Sequence, residues 1–391
     1  MGATHGEERA GEVCRHTRRT ESSSQPATTR ASHRPSTRER DVSDDLSWLA
    51  ALSPWPEDGF GLERMTALLA ALDDPQRRYP AVHVVGTNGK STATLTIEQI
   101  LLAESLSVGS TISPHVRDWN ERLRIDGRPG DLERALRRIR PTAERVGATQ
   151  FEAITAAALW AFADAEVDVA VVEAGLGGRF DATNVLRSQV VLLTNVGLEH
   201  TDILGETIEA IATEKLAVVH TDDTIVILPD DTFRPLVPRG RIEIGGARET
   251  ASAFVGHSVD LPATVSLPGR LEVRPSEIRD GAHNPDGVTW LIAHLPAADY
   301  TICASILADK DVDLMLRRLA SIGSRFVATR SSNSRSLPAA DLAERARPYF
   351  SAVEAVDDPT AALRRAHALA DPVLVTGSLY LLADLEAADR R

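Results

Sequence analysis

Apolar runs alternate with segments of helical periodicity from about residue 46 to the C-terminus. Near-continuous apolar runs bounded by Gly occupy 167–175 and 188–197, and a β-branched run occupies 81–86. Such runs are typical of central parallel strands. Apolar residues that recur every three or four positions predict helices at 61–75, 91–105, 131–147, 151–165 and 206–219. With a further strand at 224–228, this order predicts a mostly parallel sheet flanked by helices.

A second α/β series follows a less regular, Pro- and Gly-rich stretch at 229–268. Its predicted strands are 300–306, 325–329 and 372–377, and its predicted helices are 286–295, 311–322, 338–346, 359–370 and 378–388. We therefore predict an α/β chain with a first domain at 43–264 and a smaller, Rossmann-like α/β domain at 265–391. Residues 1–42 are rich in Ser, Thr and Arg, and the first 40 lack Leu, Ile, Phe, Trp and Tyr, which predicts a disordered tail.

Composition excludes several classes of protein. The net charge of −13 argues against binding nucleic acid through phosphate contacts. The absence of any apolar stretch of about 18 residues argues against a membrane span. Two cysteines, Cys14 and Cys303, cannot form a disulfide framework and indicate a cytoplasmic protein. Only three of the 43 basic residues are Lys (Lys90, Lys215 and Lys310). These positions are candidates for chemistry that needs an amine, and the alternative is that the three lysines have no special role.

A glycine-rich turn between the strand at 81–86 and the next helix has the character of a phosphate-binding loop. It comprises Gly86, Thr87, Asn88, Gly89, Lys90, Ser91 and Thr92. Glycines allow backbone N–H groups to approach phosphate oxygens, and a helix N-terminus favours anions. Lys90 would reach the β- and γ-phosphates and Ser91 a magnesium ion. Val84 breaks the full GxxxxGK[ST] pattern, so a purely structural turn is the alternative.

Three further polar residues lie at the end of a predicted strand or in the helix that follows it. Glu173 ends an apolar strand and precedes a glycine-rich turn, and His200 follows the next strand. Ligands of open α/β sheets collect at this edge, and a carboxylate suits a hard cation. A solvated carboxylate and a structural histidine are the alternatives. Lys215 follows Glu214 in a helix, where a solvated ion pair is the simpler interpretation.

The motifs together resemble the folylpolyglutamate synthase/dihydrofolate synthase family of the Mur-ligase superfamily, over about residues 45–385. The strings that carry the resemblance are GTNGKS, SPH (113–115), NERLRI, EAGLGGRFDATN, TNVGLEHTDILGETIEAIATEK, PGRLE, DGAHNPDG, ADKD and GSLYL. The resemblance implies a P-loop ATPase domain and a glutamate-ligase domain. It also implies an ATP-dependent ligase that adds L-glutamate to dihydropteroate, to folate polyglutamates, or to both, through an acyl phosphate.

The resemblance also implies roles for individual residues. Lys90 and its loop would bind ATP, Glu173 and His200 would hold Mg²⁺, and either Ser91 or Ser113 could join the metal site. Lys215 matches a lysine that is carbamylated and helps to hold a second Mg²⁺. Arg270, Asp280 and His283 would approach ATP, with Asp280 at the ribose. Lys310 and Ser378 would contact glutamate, and Asp181 and the loop of Ser113 and His115 would contact the pterin.

One departure from the family keeps other functions open. Only 52 residues separate Lys215 from Pro268, and the family's HQ…NA adenine-contact motif is absent. This predicts a smaller first domain and an incomplete adenine pocket. The alternatives are a Mur-type ligase with another acid acceptor and a nucleotide-binding relative with reduced activity. The expected partners are small-molecule substrates, with no nucleic acid or membrane, and the expected state is a monomer.

Overall fold

The computed structural model describes residues 44–56, 59–261 and 265–390. Within them, an eight-stranded sheet has the order β4-β3-β2-β5-β1-β6-β7-β8. Its strands are β1 (Ala81–Val85), β2 (Val108–Thr111), β3 (Arg124–Ile125), β4 (Arg128–Pro129), β5 (Val169–Glu173), β6 (Val190–Leu193), β7 (Ile225–Leu228) and β8 (Arg241–Ile244). All neighbours pair in parallel except those in the edge hairpin β3–β4 and the β2–β3 pair. The central strands are buried on both faces, which explains their near-continuous apolar sequence.

Helices cover both faces of this sheet. They are α1 (Asp44–Ala51), α2 (Glu63–Ala70), α3 (Lys90–Ala103), α4 (Leu132–Val146), α5 (Gln150–Asp164), α6 (Thr201–Leu204), α7 (Ile208–Leu216) and α8 (Ala247–Val255). One core packs α1, α2, α4 and α5 against the sheet, and a second packs α3 and α8 on the opposite face. Because α3 begins directly after β1, its N-terminus lies at the carboxyl edge of the sheet.

A second, six-stranded sheet within the described residues has the order β13-β12-β11-β14-β10-β9, with only β9 antiparallel. Its strands are β9 (Glu272–Arg274), β10 (Glu277–Arg279), β11 (Thr301–Ala304), β12 (Arg325–Ala328), β13 (Ala352–Ala355) and β14 (Val373–Thr376). Its helices are α9 (Pro285–His294), α10 (Val312–Leu319), α11 (Ala339–Ala346), α12 (Pro359–Leu369) and α13 (Leu379–Asp389). The predicted α/β class is confirmed.

The differences from prediction have local causes. The stretch 229–268, predicted to be irregular, contains β8 and α8. Strand β8 is a partly exposed edge strand with little apolar signal, and α8 starts directly after Gly246, whose N–H donates to Glu249 Oε2. The helix predicted at 61–75 ends at Ala70, because the chain turns through Asp73 and Asp74 with positive φ.

Three further predictions can be placed against these ranges. The predicted tail at 1–42 lies outside the described residues. The predicted boundary at 264/265 adjoins the undescribed residues 262–264 and stays a prediction. None of the helices in the described ranges combines the length and the apolar content that crossing a bilayer requires.

Candidate active site

The carboxyl edges of the two sheets border one cavity of about 970 Å³. Parallel strands of an α/β sheet gather their ligand-binding loops at this edge. Every site residue predicted from the sequence lines the cavity except His115. The cavity therefore brings together motifs that are spread over most of the chain.

The glycine-rich loop is held against the end of β6. The Asn88 N–H donates to Asn195 Oδ1 at 2.8 Å. Gly86 has φ 149°, and a Cβ there would lie 1.9 Å from Thr194 Oγ1, so only glycine fits. Lys90 is the first residue of α3, where the helix dipole also favours an anion. The loop is thus fixed in a form suited to phosphate.

Glu173, the last residue of β5, lines the cavity beside this loop. The residue is 3% exposed, and its carboxylate accepts the Ser113 N–H at 3.0 Å. Burial raises its pKa, while the charge of Lys90 and hydrogen bonds from Ser113 and Ser91 act in the opposite direction. A buried carboxylate beside Lys90, Ser91 and Ser113 can bind a cation.

The donor set around Glu173 fits Mg²⁺. Among the described residues, no group of three or more His, Cys, Asp and Glu side chains is placed to hold a metal by itself. The available donors are the Glu173 carboxylate and the hydroxyls of Ser91 and Ser113, which all line the cavity. Hard oxygen donors of this kind suit Mg²⁺, which usually keeps waters and substrate phosphates as its other ligands. The ligand roles of these residues and of His200 stay predictions.

Lys215 lies beneath the phosphate loop. Its side chain is buried, and Nζ donates to the Gly86 carbonyl at 2.8 Å. Burial, reinforced by the charge of Lys90, lowers its pKa from 10.5 to about 7. Gly178 permits this placement, because a Cβ there would lie 2.5 Å from the Lys215 carbonyl oxygen. A large fraction of the amine is therefore neutral near pH 7.

Asp181 is held by its own turn. One carboxylate oxygen accepts the Leu176 N–H at 2.8 Å, and the other accepts the Thr183 N–H at 3.0 Å and the Thr183 hydroxyl. Burial raises its pKa, and these hydrogen bonds act in the opposite direction. Thr183 Oγ1 also lies 2.8 Å from Nε2 of the fully buried His83. The structure fixes this carboxylate at the cavity wall, and its contact with a substrate stays a prediction.

The loop after β10 faces the phosphate loop from the second sheet. Asp280 accepts the N–H groups of Leu271 and Ala282 at 2.7 and 2.8 Å. Burial raises its pKa, and the charge of Arg270 lowers it. The amides of Asn88 and Asn284 exchange two hydrogen bonds at 3.3 and 3.0 Å. The Asn88 side chain thus joins the two sheets' loops.

Glu199 is a site residue that the sequence analysis missed. Its Oε1 lies 3.4 Å from His200 Nε2, 3.5 Å from His283 Nε2 and 3.8 Å from Lys310 Nζ. Burial raises its pKa, but hydrogen bonds from the two histidines and nearby positive charge outweigh burial, and its pKa lies well below the usual range. His283 Nδ1 lies 2.8 Å from the Gly281 carbonyl. A signal existed, since Glu199 adjoins His200 at a strand end.

Arg122, also missed, lines the cavity where His115 does not. Its Nε donates to His115 Nδ1 at 2.9 Å, and its guanidinium lies 4.9 Å from the Trp119 ring centre. Burial and the charge of Arg122 lower the pKa of His115 to about 3. Among the described residues, no carboxylate forms an ion pair with Arg122. His115 thus supports Arg122, which lines the cavity, and the expected substrate contact of His115 stays a prediction.

Aromatic rings form another part of the wall. Trp55, Phe60, Phe151 and Phe180 line the cavity, and the Trp55 and Phe60 rings pack edge to face at 5.9 Å. Ser378 also lines it, and its hydroxyl accepts the Tyr380 N–H at 3.1 Å at the start of α13. Lys310 and Arg335 also line the cavity from the second sheet. The sequence analysis did not single out Arg335.

The segment between Lys215 and Pro268 still reaches the cavity. Gly245, Gly246 and Ala247, at the start of α8, form part of its wall. Helix α8 packs on α3, which carries the phosphate loop at its N-terminus. The incomplete adenine pocket expected from the short segment stays a prediction.

Comparison with known proteins agrees with this geometry. The Mur ligase middle domain matches residues 84–239, and the Mur ligase, glutamate ligase domain matches 269–379. Dihydrofolate synthase/folylpolyglutamate synthase of Mycobacterium tuberculosis is 30% identical, over 76% of this chain and 80% of that protein. Folylpolyglutamate synthase of Lacticaseibacillus casei is 32% identical, over 81% and 92% respectively.

Solved structures of similar proteins extend the comparison. E. coli FolC in complex with DHPP and ADP is 28% identical, with a TM-score of 0.79 over 90% of this chain and 99% of that one. A bifunctional folylpolyglutamate synthase/dihydrofolate synthase with Mn, AMPPNP and L-glutamate bound is 29% identical, with a TM-score of 0.77 over the same shares. These ligands are a nucleotide, a divalent metal and an amino acid.

Proposed function

Because the chain belongs to the folylpolyglutamate synthase/dihydrofolate synthase family of Mur ligases, we propose that it is an ATP-dependent ligase that adds L-glutamate to dihydropteroate, to folate polyglutamates, or to both. ATP is its phosphoryl donor and a divalent metal, Mg²⁺, its cofactor. A monomeric state and a cytoplasmic location stay predictions from the sequence.

One observation carries the proposal: a single cavity is lined by the phosphate loop, by aromatic side chains and by the cations Lys310 and Arg335. A ligase must hold ATP, a carboxylic acid and an amine together. The loop of Lys90 suits the nucleotide phosphates, and Arg270, Asp280 and His283 approach from the second sheet. We assign Asp280 to the ribose, because its fixed carboxylate can accept from a hydroxyl.

The aromatic residues of the cavity suit the ring system of the acceptor, dihydropteroate or a folate. Trp55, Phe151 and Phe180 provide flat apolar surfaces for a planar ring system. Asp181, held at the adjoining wall, can accept hydrogen bonds from ring N–H groups. Arg122, which pairs with no carboxylate among the described residues, lines the same cavity and interacts with the charge of Glu173, so it can bind the acceptor carboxylate near the γ-phosphate.

The chemistry follows from charge. A carboxylate does not react directly with an amine, so the acceptor attacks the γ-phosphorus of ATP and releases ADP. The glutamate amine then attacks the acyl phosphate, loses its proton and expels phosphate. Lys90 and Arg122 stabilise the negative charge that develops during phosphoryl transfer. When bound at Glu173, Mg²⁺ adds further charge neutralisation. Keeping water out of the cavity would protect the acyl phosphate from hydrolysis.

ADP release tests the proposal. The wild type is assayed with ATP, Mg²⁺, L-glutamate and either dihydropteroate or tetrahydrofolate, beside Lys90→Ala. A matched control is Arg330→Leu, an exposed residue that does not line the cavity. We expect release that needs both glutamate and an acceptor, and that is lost in Lys90→Ala only. Absence of turnover with every folate acceptor would refute the proposal, and turnover with a muramyl-peptide-type acid would replace it.

A further inference from the structure

One polar side chain interrupts a central apolar strand of the first sheet. His83 is the third residue of β1, in which every other residue is Ala or Val, and it is fully buried. Burying an imidazole costs free energy unless its nitrogens form hydrogen bonds. Its Nε2 lies 2.8 Å from Thr183 Oγ1, while its Nδ1 has no hydrogen-bond partner among the described residues. The polar chemistry of this ring is thus directed at Thr183 alone.

Thr183 connects this histidine to Asp181. The Thr183 hydroxyl and the Thr183 N–H both bond to Asp181 Oδ1, the N–H at 3.0 Å. A hydroxyl has one proton and an ionised carboxylate has none, so the Thr183 hydroxyl donates to Asp181. Its oxygen can then only accept from the ring, and His83 Nε2–H is the donor. The three side chains form one chain of hydrogen bonds that ends at a carboxylate on the cavity wall.

The opposite direction of this chain would leave a buried N–H group without a partner. A protonated Asp181 could donate to Thr183, and Thr183 could donate to His83 Nε2. Burial and the charge of His220 lower the pKa of His83 to about 3, so the ring is neutral and carries one proton. That proton would then lie on Nδ1, for which the described part of the chain provides no acceptor. Because an unpaired buried N–H is costly, the network favours the Nε2–H ring and an ionised Asp181.

Building on the proposed function, we propose that His83 is a positioning residue for acceptor recognition, and that it acts through Thr183 to hold the Asp181 carboxylate as a hydrogen-bond acceptor for the ring system of the substrate. His83 does not line the cavity, so it acts only at second hand. Its place is set by β1, which pairs with β5 on one side and β6 on the other. A carboxylate that is oriented by the sheet before binding loses less entropy when the acceptor arrives.

Steady-state kinetics of His83→Met, Thr183→Val and the double variant test this assignment. We expect each single variant to raise the KM for dihydropteroate or tetrahydrofolate about tenfold and to leave the KM values for ATP and L-glutamate unchanged. The double variant should lose no more than either single variant, because both changes break the same chain. His83→Gln should keep most of the wild-type KM, because its side-chain amide can donate from nearly the position of Nε2.

A matched control is Thr94→Val, the same exchange of a hydroxyl for a methyl group at another buried site. Thr94 lies in α3 and is fully buried, and its hydroxyl has no hydrogen-bond partner in the part of the chain that the structure describes. We expect its kinetics to match those of the wild type. Circular dichroism checks that each variant is folded, and Thr183→Val carries the KM test by itself if His83→Met does not fold.

Several results would overturn the assignment. They are additive losses in the double variant, a KM for ATP that rises as much as that for the acceptor, and a His83 ring that nitrogen NMR shows to carry its proton on Nδ1. Calorimetric binding of dihydropteroate and of tetrahydrofolate in the presence of ADP separates this inference from the proposed function. A wild type that binds an acceptor without turnover refutes the proposed function, and the acceptor affinity of Thr183→Val then decides the inference. A wild type that binds neither acceptor overturns both.

Discussion

Replacing Lys215 with Met should stabilise the fold near neutral pH while abolishing activity. In the folded protein the pKa of Lys215 is about 7, against 10.5 for a free lysine side chain. Between about pH 7 and pH 10.5 the folded chain binds fewer protons than the unfolded chain. The free energy of unfolding therefore rises with pH over this range. The penalty of the buried ammonium is complete below pH 7 and disappears above about pH 10.5.

The pKa difference sets the size of the effect. A difference of 10.5 − 7 = 3.5 corresponds to about 5 kcal/mol of destabilisation at or below pH 7. Removing Nζ also removes its hydrogen bond to the Gly86 carbonyl, and this loss offsets about 1–3 kcal/mol of the stabilisation gained by removing the buried charge. We therefore expect Lys215→Met to gain about 3 kcal/mol at pH 7 and to lose that gain as the pH approaches 10.5.

Urea unfolding followed by circular dichroism, in CO₂-free buffers between pH 7 and pH 10, measures this gain. Lys310→Met is the matched control, since it removes one of the cations that lie near Asp309 and Glu199 and should give no stabilisation. A Lys215→Met variant less stable than wild type at pH 7, or a gain that does not change with pH, would refute the reasoning.

The neutral amine is also what reacts with CO₂, so bicarbonate should raise wild-type activity and leave Lys215→Arg inactive.

Three further outcomes are expected. Glu173→Gln removes the buried carboxylate of the predicted Mg²⁺ site, so Mg²⁺-dependent ADP release should fall at least about 100-fold in kcat, while calorimetry should still detect ADP without Mg²⁺. Asn88→Ala, Asn284→Ala and the double variant form a thermodynamic cycle on ADP affinity, in which the reciprocal amide pair should give a coupling of about 0.5–2 kcal/mol; additive losses would show that the pair does not link the loops. Gly178→Ala should lower the melting temperature and reduce kcat, because its Cβ would lie 2.5 Å from the Lys215 carbonyl oxygen; unchanged activity would show that this contact does not position Lys215.

The features predicted best from the sequence have a local cause. The strand–turn–helix of Gly86 to Thr92 carries its own signal, because glycine spacing, the preceding apolar strand and the helix start all lie within one short segment. Glu173 follows the same logic at the end of β5. In each case the position at a parallel strand's end already specifies the edge of the sheet on which the side chain will lie.

The missed residues depend on contacts between distant segments. Glu199 becomes part of the site only because the second sheet brings His283 and Lys310 to it. Arg335 lies in a polar loop whose sequence has no motif, and the antiparallel bridge between its neighbour Ser336 and Leu307 places this loop at the cavity. His115 is hydrogen-bonded to Arg122 and does not itself line the cavity, and its substrate contact stays a prediction.

The three lysines among 43 basic residues gain a physical meaning from this geometry, since all three line the cavity. Lys215 is the strongest case, because the buried position shifts its pKa towards neutrality and a guanidinium stays charged at any accessible pH. Lys90 and Lys310 act as compact point charges, one at a helix N-terminus and one between two carboxylates. Arginine, in contrast, occupies cavity positions where a planar fork can meet an oxyanion, as at Arg122 and Arg335. The division between the two cations therefore follows the chemistry required at each position, and not the average composition of the chain.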